Sequence, residues 1–414
     1  MLPNENNVNL TNPNSPLAFL FIDDERRIEF QETVFSGIGH YPYIDRVSKY
    51  GTLKLAFSTE KPSSEIERGT DTKLIDFVKL SKKRGDVSDG FNAYVGMLGA
   101  IYATDFKCLF IDEPEAFLHP SLARTLGKQI ALKGGEQQIY IASHSAEFLM
   151  GAIESGRPVR IIRLQYQDEI GSACLLDGGE LREFMQNPLL RSADVLSGLF
   201  AKSVIVGEAD TDRAFYQEIN TRLLSKRDPR GIENAVFLNA QNKQTVPKIV
   251  GMLRKMGVPA IGIVDLDIFA EGGAVWTTQM GAIAMPAAMT ESLASERRTT
   301  LQNLKSQSSD SEKKDYKRRG GITLLEESDR EAAESLIDRL AEYGLFIVRN
   351  GEVESWLPSL NVPREKNKWL GQIFETMGSN PEAEEYVSPS EGDVWDFIGS
   401  CNTWLTNPAR KGMR

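Results

Sequence analysis

The sequence predicts an α/β fold with at least two modules. Two apolar runs, at 203–206 and 261–264, each lead directly into acidic residues, as strands do when their carboxyl ends carry polar groups. A third apolar run, at 108–111, ends in Asp112 and Glu113. Polar stretches with helical character separate these runs, which is the alternation expected of parallel sheets. With 414 residues, the chain is long enough for two or three domains.

Composition narrows the class of protein. The hydrophobic fraction of 41% and the charged fraction of 26% are those of an ordinary globular protein, and the net charge of −10 does not by itself indicate nucleic-acid binding. No secretory signal and no run long enough to span a membrane is visible. Three scattered cysteines fit a reducing compartment, so we expect a cytoplasmic protein without membrane association. With three histidines and no Cys-x-x-Cys, zinc is not expected.

The first module, predicted at 1–198, carries the pattern of a nucleotide site. The strand that ends in Asp112 and Glu113 has the form of a Walker B motif, in which the aspartate holds magnesium through water and the glutamate positions the attacking water. A hydrophobic run before Asp-Glu also occurs by chance in many strands. The neighbouring segments therefore decide whether this strand belongs to a nucleotide site.

Two such segments flank the motif. Upstream, Ser88 and Gly90 open a predicted helix, and a helix N-terminus with small residues suits a phosphate. Downstream, a predicted strand at 138–142 leads to Ser143 and His144, where the histidine could sense a γ-phosphate. A lone histidine is more often structural, so the order of the pieces, not any single one, favours nucleotide binding.

The phosphate-binding loop of such sites does not occur in this sequence. No G-x-x-x-x-G-K-[ST] is present, and the nearest segment, 126–129, lacks the first glycine and the Ser/Thr. Three interpretations stay open: a shortened or re-started reading frame, a nucleotide site completed by another chain, or an inactive site. ATP is a candidate ligand, but we expect negligible turnover by this chain alone.

The second module carries paired carboxylates at two strand ends. Glu208 follows the first strand, and Asp212 falls in the first turn of the next helix, after Asp210 and Thr211, which suit an N-cap. Asp265 and Asp267 follow the second strand, and in an extended segment residues i and i+2 project to the same side. An acid at a strand end is usually a helix cap or a solvated loop residue. Two pairs at one sheet edge instead favour a site for hard divalent cations.

These residues resemble a known family. Glu208, followed later by Asp-x-Asp at 265–267, resembles the Toprim domain. With the run IDEPEAFLHP and the later SHS, the order resembles the OLD (overcoming lysogenization defect) family, in which an ABC-type ATPase precedes a Toprim nuclease domain. The resemblance spans most of 85–357. It implies a partial ATPase module without Walker A, then a Toprim domain at 199–358 with a helical insertion at about 270–343, and a helical tail at 359–414.

The resemblance also implies the site residues. A lysine in the loop after the strand 235–238 points to Lys243 as a phosphate contact, and a C-terminal glutamate points to Glu352 or Glu354, between which the choice is open. Two Mg²⁺ or Mn²⁺ ions, bridged by Asp265, would activate water. The implied metal ligands are Glu208, Asp212, Asp265, Asp267 and Glu352 or Glu354.

The predicted function is a metal-dependent DNA endonuclease in which the ATPase-like module dimerises the protein and controls cleavage. Basic stretches at 202–255 and 296–319 are candidate DNA contacts, although such runs are often a solvated helix face. A homo-oligomer, a partner protein or nucleic-acid trigger, and a role in anti-phage defence are implied by the resemblance. The rivals are a non-catalytic assembly or DNA-binding module, and an ATPase completed by a Walker A loop outside the chain.

Overall fold

The computed structural model divides into two compact units, Met1–Val159 and Arg160–Arg414. It describes residues 5–6, 13, 15–46, 48, 52–69, 72–103, 107–133, 138–167, 169–176, 195–307, 315–365 and 368–413. Both units combine helices with parallel strands, which confirms the predicted α/β class. In the described part of the chain, no helix is both long and apolar enough to cross a bilayer.

The first unit combines an antiparallel sheet with one parallel strand pair. Its strands are β1 (Glu5–Asn6), β2 (Tyr41–Asp45), β3 (Thr52–Ser58), β4 (Lys82–Lys83), β5 (Cys108–Asp112) and β6 (Gln138–Ala142). Its helices are α1 (Pro16–Ile22), α2 (Asp24–Ile38), α3 (Ser64–Arg68), α4 (Thr72–Leu80), α5 (Asp89–Tyr102), α6 (Pro120–Lys133) and α7 (Ala146–Glu154). Strands β5 and β6 pair in parallel, with Asp112 opposite Ala142, so both strands end at the same edge.

Local chemistry explains where the helices of this unit begin and how closely they pack. Ser88 caps α5, as predicted, because its Oγ accepts a hydrogen bond from Phe91 N at 3.3 Å. Helices α6 and α7 meet backbone to backbone. A Cβ at Gly127 would overlap the carbonyl oxygen of Phe148, and one at Gly151 would overlap that of Arg124. These two glycines therefore permit the close crossing.

The second unit is built around a four-stranded parallel sheet, in the order β10-β9-β11-β12. Its strands are β7 (Ile161–Gln167) and β8 (Ile170–Leu176), which form an antiparallel hairpin, and β9 (Ser203–Gly207), β10 (Ala235–Asn239), β11 (Ala260–Val264) and β12 (Leu345–Ile347). Its helices are α8 (Asp210–Ser225), α9 (Val246–Lys255), α10 (Gly273–Ala282), α11 (Ala287–Ser306), α12 (Asp315–Arg319), α13 (Glu327–Ala341), α14 (Trp369–Met377) and α15 (Asp393–Thr406).

The central strands β9 and β11 are buried along their whole length, as expected when helices cover both faces of a parallel sheet. The chain leaves β9 towards β10 on one side and leaves β11 towards β12 on the other. The connections therefore diverge between β9 and β11, and in open α/β sheets the crevice at such a point holds the ligand. The acidic residues predicted from the sequence follow these two strands.

The C-terminal residues pack onto this sheet. Trp369, Trp395 and Trp404 are buried in one core cluster with Phe215 and Tyr216 of α8. All three indole side chains are buried. The tail is thus part of the hydrophobic core that supports the strand ends.

Candidate active site and metal centre

Glu208 stands at the carboxyl end of β9 and is tied to the neighbouring strand, since its Oε1 accepts a hydrogen bond from Asp265 N at 2.8 Å. Gly207 precedes it, and a Cβ there would lie 2.9 Å from the Cβ of Asp212. Glycine at this position lets the first turn of α8 approach the strand end. Asp212 Oδ2 accepts a hydrogen bond from Ala209 N at 2.7 Å, and Ala209 is the N-cap residue. The predicted N-cap at Asp210 or Thr211 is therefore wrong.

Asp265 and Asp267 follow β11, but not in the predicted extended conformation. The chain turns at Asp265 into a 3₁₀-helix, Leu266–Ala270, because Leu266 N donates to Gly351 O at 2.9 Å and Ile268 N donates to Asp265 O. The carboxylates nevertheless converge. One oxygen each from Glu208, Asp265 and Asp267 lie within 4.8 Å of one another. We call these three residues the carboxylate cluster.

Glu352 and Glu354 lie in the segment that follows β12, and both are buried, with 3% and 7% of their surface exposed. Burial is the main cause of the raised pKa of Asp265, and the charge of Glu352 adds to it. The charge of Glu354 acts on Asp212 in the same direction. Both glutamates therefore belong to the electrostatic environment of the site, although neither is in the carboxylate cluster. The choice of metal ligand between them stays a prediction.

Burial and mutual repulsion raise the pKa values of the strand-end acids. Burial, followed by the charge of Asp265, raises the pKa of Glu208 to about 8. The same two causes raise the pKa of Asp212 to about 7. Carboxyl groups that are costly to ionise in this way gain most from a cation, and metal ions bind them by displacing protons.

Two lysines partly balance the acids. Lys243 Nζ lies 3.1 Å from Asp267 Oδ2 and 3.0 Å from Glu271 Oε1, so the predicted lysine does reach this edge of the sheet. Lys317 Nζ lies 2.7 Å from Asp265 Oδ2 and 3.7 Å from Asp267 Oδ1. Burial by itself lowers the pKa of Lys317, but the charges of Asp265, Asp267 and Glu208, with the hydrogen bond to Asp265, together outweigh burial and raise this pKa.

Lys317 corrects one expectation. The sequence placed it in a basic run at 313–319 that would face solvent or DNA, yet its side chain is only 10% exposed and faces the carboxylate cluster. Arg318 and Arg319 of the same helix are exposed, whereas Lys313 and Lys314 lie outside the described residues. Lys317 therefore does not share an exposed surface with Arg318 and Arg319.

Glycines bring α12 to the site. A Cβ at Gly351 would overlap the carbonyl oxygen of Lys317, and one at Gly321 would overlap that of Arg349. Ile322 N donates to Arg349 O at 3.0 Å, which fixes the chain after α12 against the end of β12. Lys317 and Glu271 are the site residues that sequence reasoning missed. The Gly-Gly pair after the basic run was the available signal.

The donor set fits a hard divalent cation. The cluster consists of carboxylates, held at the ends of two buried strands, and Mg²⁺ and Mn²⁺ prefer such oxygen ligands. The residues that would hold the ions are those of the carboxylate cluster. The charges of Asp212 and Glu352 act on this cluster, and the charge of Glu354 acts on Asp212.

In the first unit, the structure brings Glu113 and His144 together across the β5–β6 pair. His144 Nδ1 lies 3.4 Å from Glu113 Oε1 and 3.6 Å from Glu115 Oε1. Glu113 N donates to Ala142 O at 2.9 Å, and its φ of 44° is in the left-handed region, a strained conformation that is common at functional sites. Asp112 is the last residue of β5 and precedes this turn.

A residue that the sequence did not single out organises this corner. Glu115 is buried and accepts hydrogen bonds from Ser143 Oγ at 2.7 Å and from His144 N at 3.0 Å. Gly90 lies close by, since a Cβ there would be 2.5 Å from the carbonyl oxygen of Phe117. The hydroxyl of Ser88 caps its own helix. Nucleotide binding by this corner stays a prediction.

The raised pKa values predict how metal-free stability depends on pH. Glu208 and Asp212 bind protons more tightly when folded. Their contribution to stability is therefore complete below their ordinary pKa values of 4.5 and 3.8 and is lost as pH rises through the folded pKa values of about 8 and about 7. In EDTA, we therefore expect the unfolding midpoint to fall across this range. Glu208→Gln should flatten the fall, because glutamine has no proton to lose. Parallel curves for the two proteins in thermal unfolding would contradict this account.

Comparisons with known proteins agree with the two units. Residues 67–150 match the family described as AAA domain, putative AbiEii toxin, Type IV TA system. Residues 199–267 match the family described as overcoming lysogenization defect protein-like, TOPRIM domain. Fold and site thus define the class: an ATPase-like segment followed by a Toprim domain with an acidic strand-end site. This is the domain arrangement of the OLD family, and the predicted resemblance is confirmed.

A particular relative is the Old nuclease of Escherichia phage P2, which is 24% identical over 289 residues, covering 61% of this chain and 45% of that protein. The chain thus spans about half the length of the curated relative it matches. Among solved structures, an SMC ATPase from work on ATP-driven dimerization and DNA-stimulated activation is 14% identical, with a TM-score of 0.28 over 42% of this chain and 96% of that one. An SmcHead bound to the C-winged helix domain of ScpA is also 14% identical, with a TM-score of 0.30 over 41% and 47%.

Proposed function

We propose that this chain is a Mg²⁺- or Mn²⁺-dependent DNA endonuclease of the OLD/Toprim type. The observation that carries the proposal is the carboxylate cluster at the ends of β9 and β11, in which Asp267 is buried and Glu208 and Asp265 are half-buried, flanked by two lysines. The OLD-like Toprim match over the same strands and the similarity to a phage nuclease support it. DNA is the proposed substrate, and phosphodiester hydrolysis is the proposed reaction.

The chain's own residues have distinct tasks in this proposal. Asp265 lies between its partners, with its backbone N–H on Glu208 and its carboxylate on Lys317, so it is the candidate for a ligand shared by two ions. Glu208, Asp212, Asp267 and one of Glu352 and Glu354 are the further residues that would hold the ions. Lys243 supplies positive charge for a substrate phosphate. Bound divalent ions would supply an activated water and stabilise the leaving oxygen.

A plasmid-cleavage assay tests the proposal. Supercoiled DNA is incubated with the protein in Mg²⁺, in Mn²⁺ and in EDTA, and nicked and linear products are followed with time. We expect cleavage that requires either metal and is lost in Glu208→Ala. Glu233→Ala is the matched control, because Glu233 is exposed in the loop before β10, outside the site. Cleavage by Glu208→Ala at the wild-type rate would refute the site.

The ATPase-like unit is proposed to dimerise the chain and to control cleavage, with a nucleic acid or partner protein as the trigger. This part rests on the family arrangement, as does a role in anti-phage defence in the cytoplasm. ATP is the proposed ligand at the corner formed by Asp112, Glu113 and His144.

For ATP hydrolysis by this chain alone, we expect a rate at the assay background. The reason is that the sequence holds no loop to bind the β- and γ-phosphates, even though Asp112 and Glu113 are in place. Glu113→Gln should therefore change nothing in a phosphate-release assay. Substantial turnover that disappears in Glu113→Gln would show that another segment binds the phosphates.

One observation favours a second candidate, a module that assembles with a partner without cutting. Phe110 of β5 and Tyr140 of β6 stack with ring centroids 5.0 Å apart, yet they are 76% and 51% exposed. An exposed aromatic pair is more typical of a contact surface than of a free strand face. In this alternative, plasmid DNA would stay intact when Mg²⁺ is added. The other rival, an ATPase completed by a Walker A loop on another chain, would hydrolyse ATP only when the two chains are mixed.

A further inference from the structure

The ammonium group of Lys317 lies against the carboxylate cluster. Its ammonium is 2.7 Å from Asp265 Oδ2 and 3.7 Å from Asp267 Oδ1, and these residues supply two of the three cluster oxygens. The third cluster residue, Glu208, is hydrogen-bonded to the backbone of Asp265. The positive charge thus faces the same group of oxygens that the proposed function assigns to metal.

We propose that Lys317 is a tethered counter-ion of the metal-free site, which a divalent cation displaces, and that the displaced ammonium then contacts a substrate phosphate. The inference deepens the proposed function and rests on its metal site. In the sequence, Lys317 stands in a run of basic residues that is typical of a solvated helix face.

Displacement follows from distance and charge. Mg²⁺ binds carboxylate oxygens at about 2.0–2.1 Å, closer than an ammonium can approach, so both cannot occupy the same face of Asp265. Two positive charges on one oxygen also repel strongly in a buried site, where screening by water is weak. The divalent ion carries the larger charge and therefore takes the position.

The ammonium group of Lys317 can move while helix α12 stays in place. Backbone contacts hold α12: Gly351 lies against the carbonyl oxygen of Lys317, and the carbonyl oxygen of Arg318 accepts a hydrogen bond from Arg364 at 2.5 Å. The lysine side chain itself is a flexible four-carbon stem with a compact charge, well suited to bind a phosphate as a point charge. A rotamer change at Lys317 is thus sufficient to move its ammonium group away from the carboxylate cluster.

The test measures metal affinity without DNA. Binding of Mn²⁺ to the full chain is titrated by the electron paramagnetic resonance signal of free Mn²⁺, for wild type, Lys317→Gln, Lys317→Arg and Arg318→Gln. We expect Lys317→Gln to bind about tenfold more tightly, because a competing charge is gone while the amide can still hydrogen-bond Asp265. Lys317→Arg keeps the charge and should not gain affinity. Arg318→Gln removes one charge from the exposed neighbour and controls for net charge.

Unchanged or weaker Mn²⁺ binding by Lys317→Gln would overturn the assignment of Lys317 as the counter-ion of the metal-free site. Should this variant fold only when Mn²⁺ is added, the proposal is supported, since metal then replaces the missing charge. Cleavage supplies the second readout. We expect Lys317→Gln to cut DNA about 100-fold more slowly despite its tighter metal binding, and an equal or faster rate would overturn the phosphate contact. Absence of Mn²⁺ binding by wild type would instead refute the proposed function.

Discussion

Asp265→Asn is expected to slow Mg²⁺-dependent DNA cleavage by about 10³-fold or more, as loss of a shared ligand does in two-metal sites. Asparagine keeps the shape of the side chain but removes the charge that the cluster directs at a cation. Asp265 is also the residue that joins the two strand ends, through its contacts with Glu208 and Lys317. The rate of plasmid nicking at saturating Mg²⁺ measures the effect.

Asp210→Asn is the matched control for this substitution. Asp210 is exposed at the start of α8, two residues from the buried Asp212, and its carboxylate pairs with Arg213. Asp210→Asn also replaces a carboxylate by an amide, but at a residue outside the site. The cleavage rate should therefore stay within about twofold of the wild-type rate. If Asp265→Asn cuts as fast as this control, the assignment of Asp265 is wrong, and if wild type still cuts in EDTA, the metal requirement is wrong.

Gly351→Ala is expected to lower the free energy of unfolding by about 3 kcal/mol and to reduce cleavage with it. Gly351 has a φ of 114°, in a region that side chains rarely adopt, and a methyl group there would overlap the carbonyl oxygen of Lys317. The strain can be relieved only by moving α12 away from the cluster or by opening the turn that holds Leu266. Urea unfolding followed by circular dichroism measures the change.

Gly371→Ala provides the comparison, since Gly371 lies within α14 and a Cβ there meets nothing within 4 Å. Alanine in an open helical position should stabilise by about 0.5–1 kcal/mol. Equal unfolding midpoints for the two alanine variants would mean that the close approach of α12 to Gly351 has no energetic importance.

The sequence alone identified the acids because their signal is local. A buried strand followed at once by a carboxylate is readable in a few residues, which is why Glu208, Asp265 and Asp267 were found and why the structure brings them together. The predicted extended conformation from Asp265 to Asp267 is nevertheless wrong. The hydrogen bond from Leu266 N to the carbonyl oxygen of Gly351, a residue far along the chain, turns this segment into a 3₁₀-helix.

The residues that were missed depend on such distant contacts. Lys317 belongs to the site only because Gly321 and Gly351 let α12 approach the end of β12. Glu115 was overlooked because its partners, Ser143 and His144, come from a different strand end. Periodicity and spacing describe one segment at a time, so pairings between segments remained invisible to them.

The sheet order has a consequence for how the protein is made. The acids of the site follow β9, β11 and β12, and β12 is separated from β11 by the helices α10 to α13. A ribosome therefore releases Glu208 long before Glu352 and Glu354, and contacts between such distant segments form late in folding. The carboxylates of Glu208, Asp265 and Asp267 emerge before Lys317 and before the last strand, which completes the sheet edge. A nascent or truncated chain would thus carry the acids without a complete site, so the proposed hydrolytic activity would appear only after synthesis is complete.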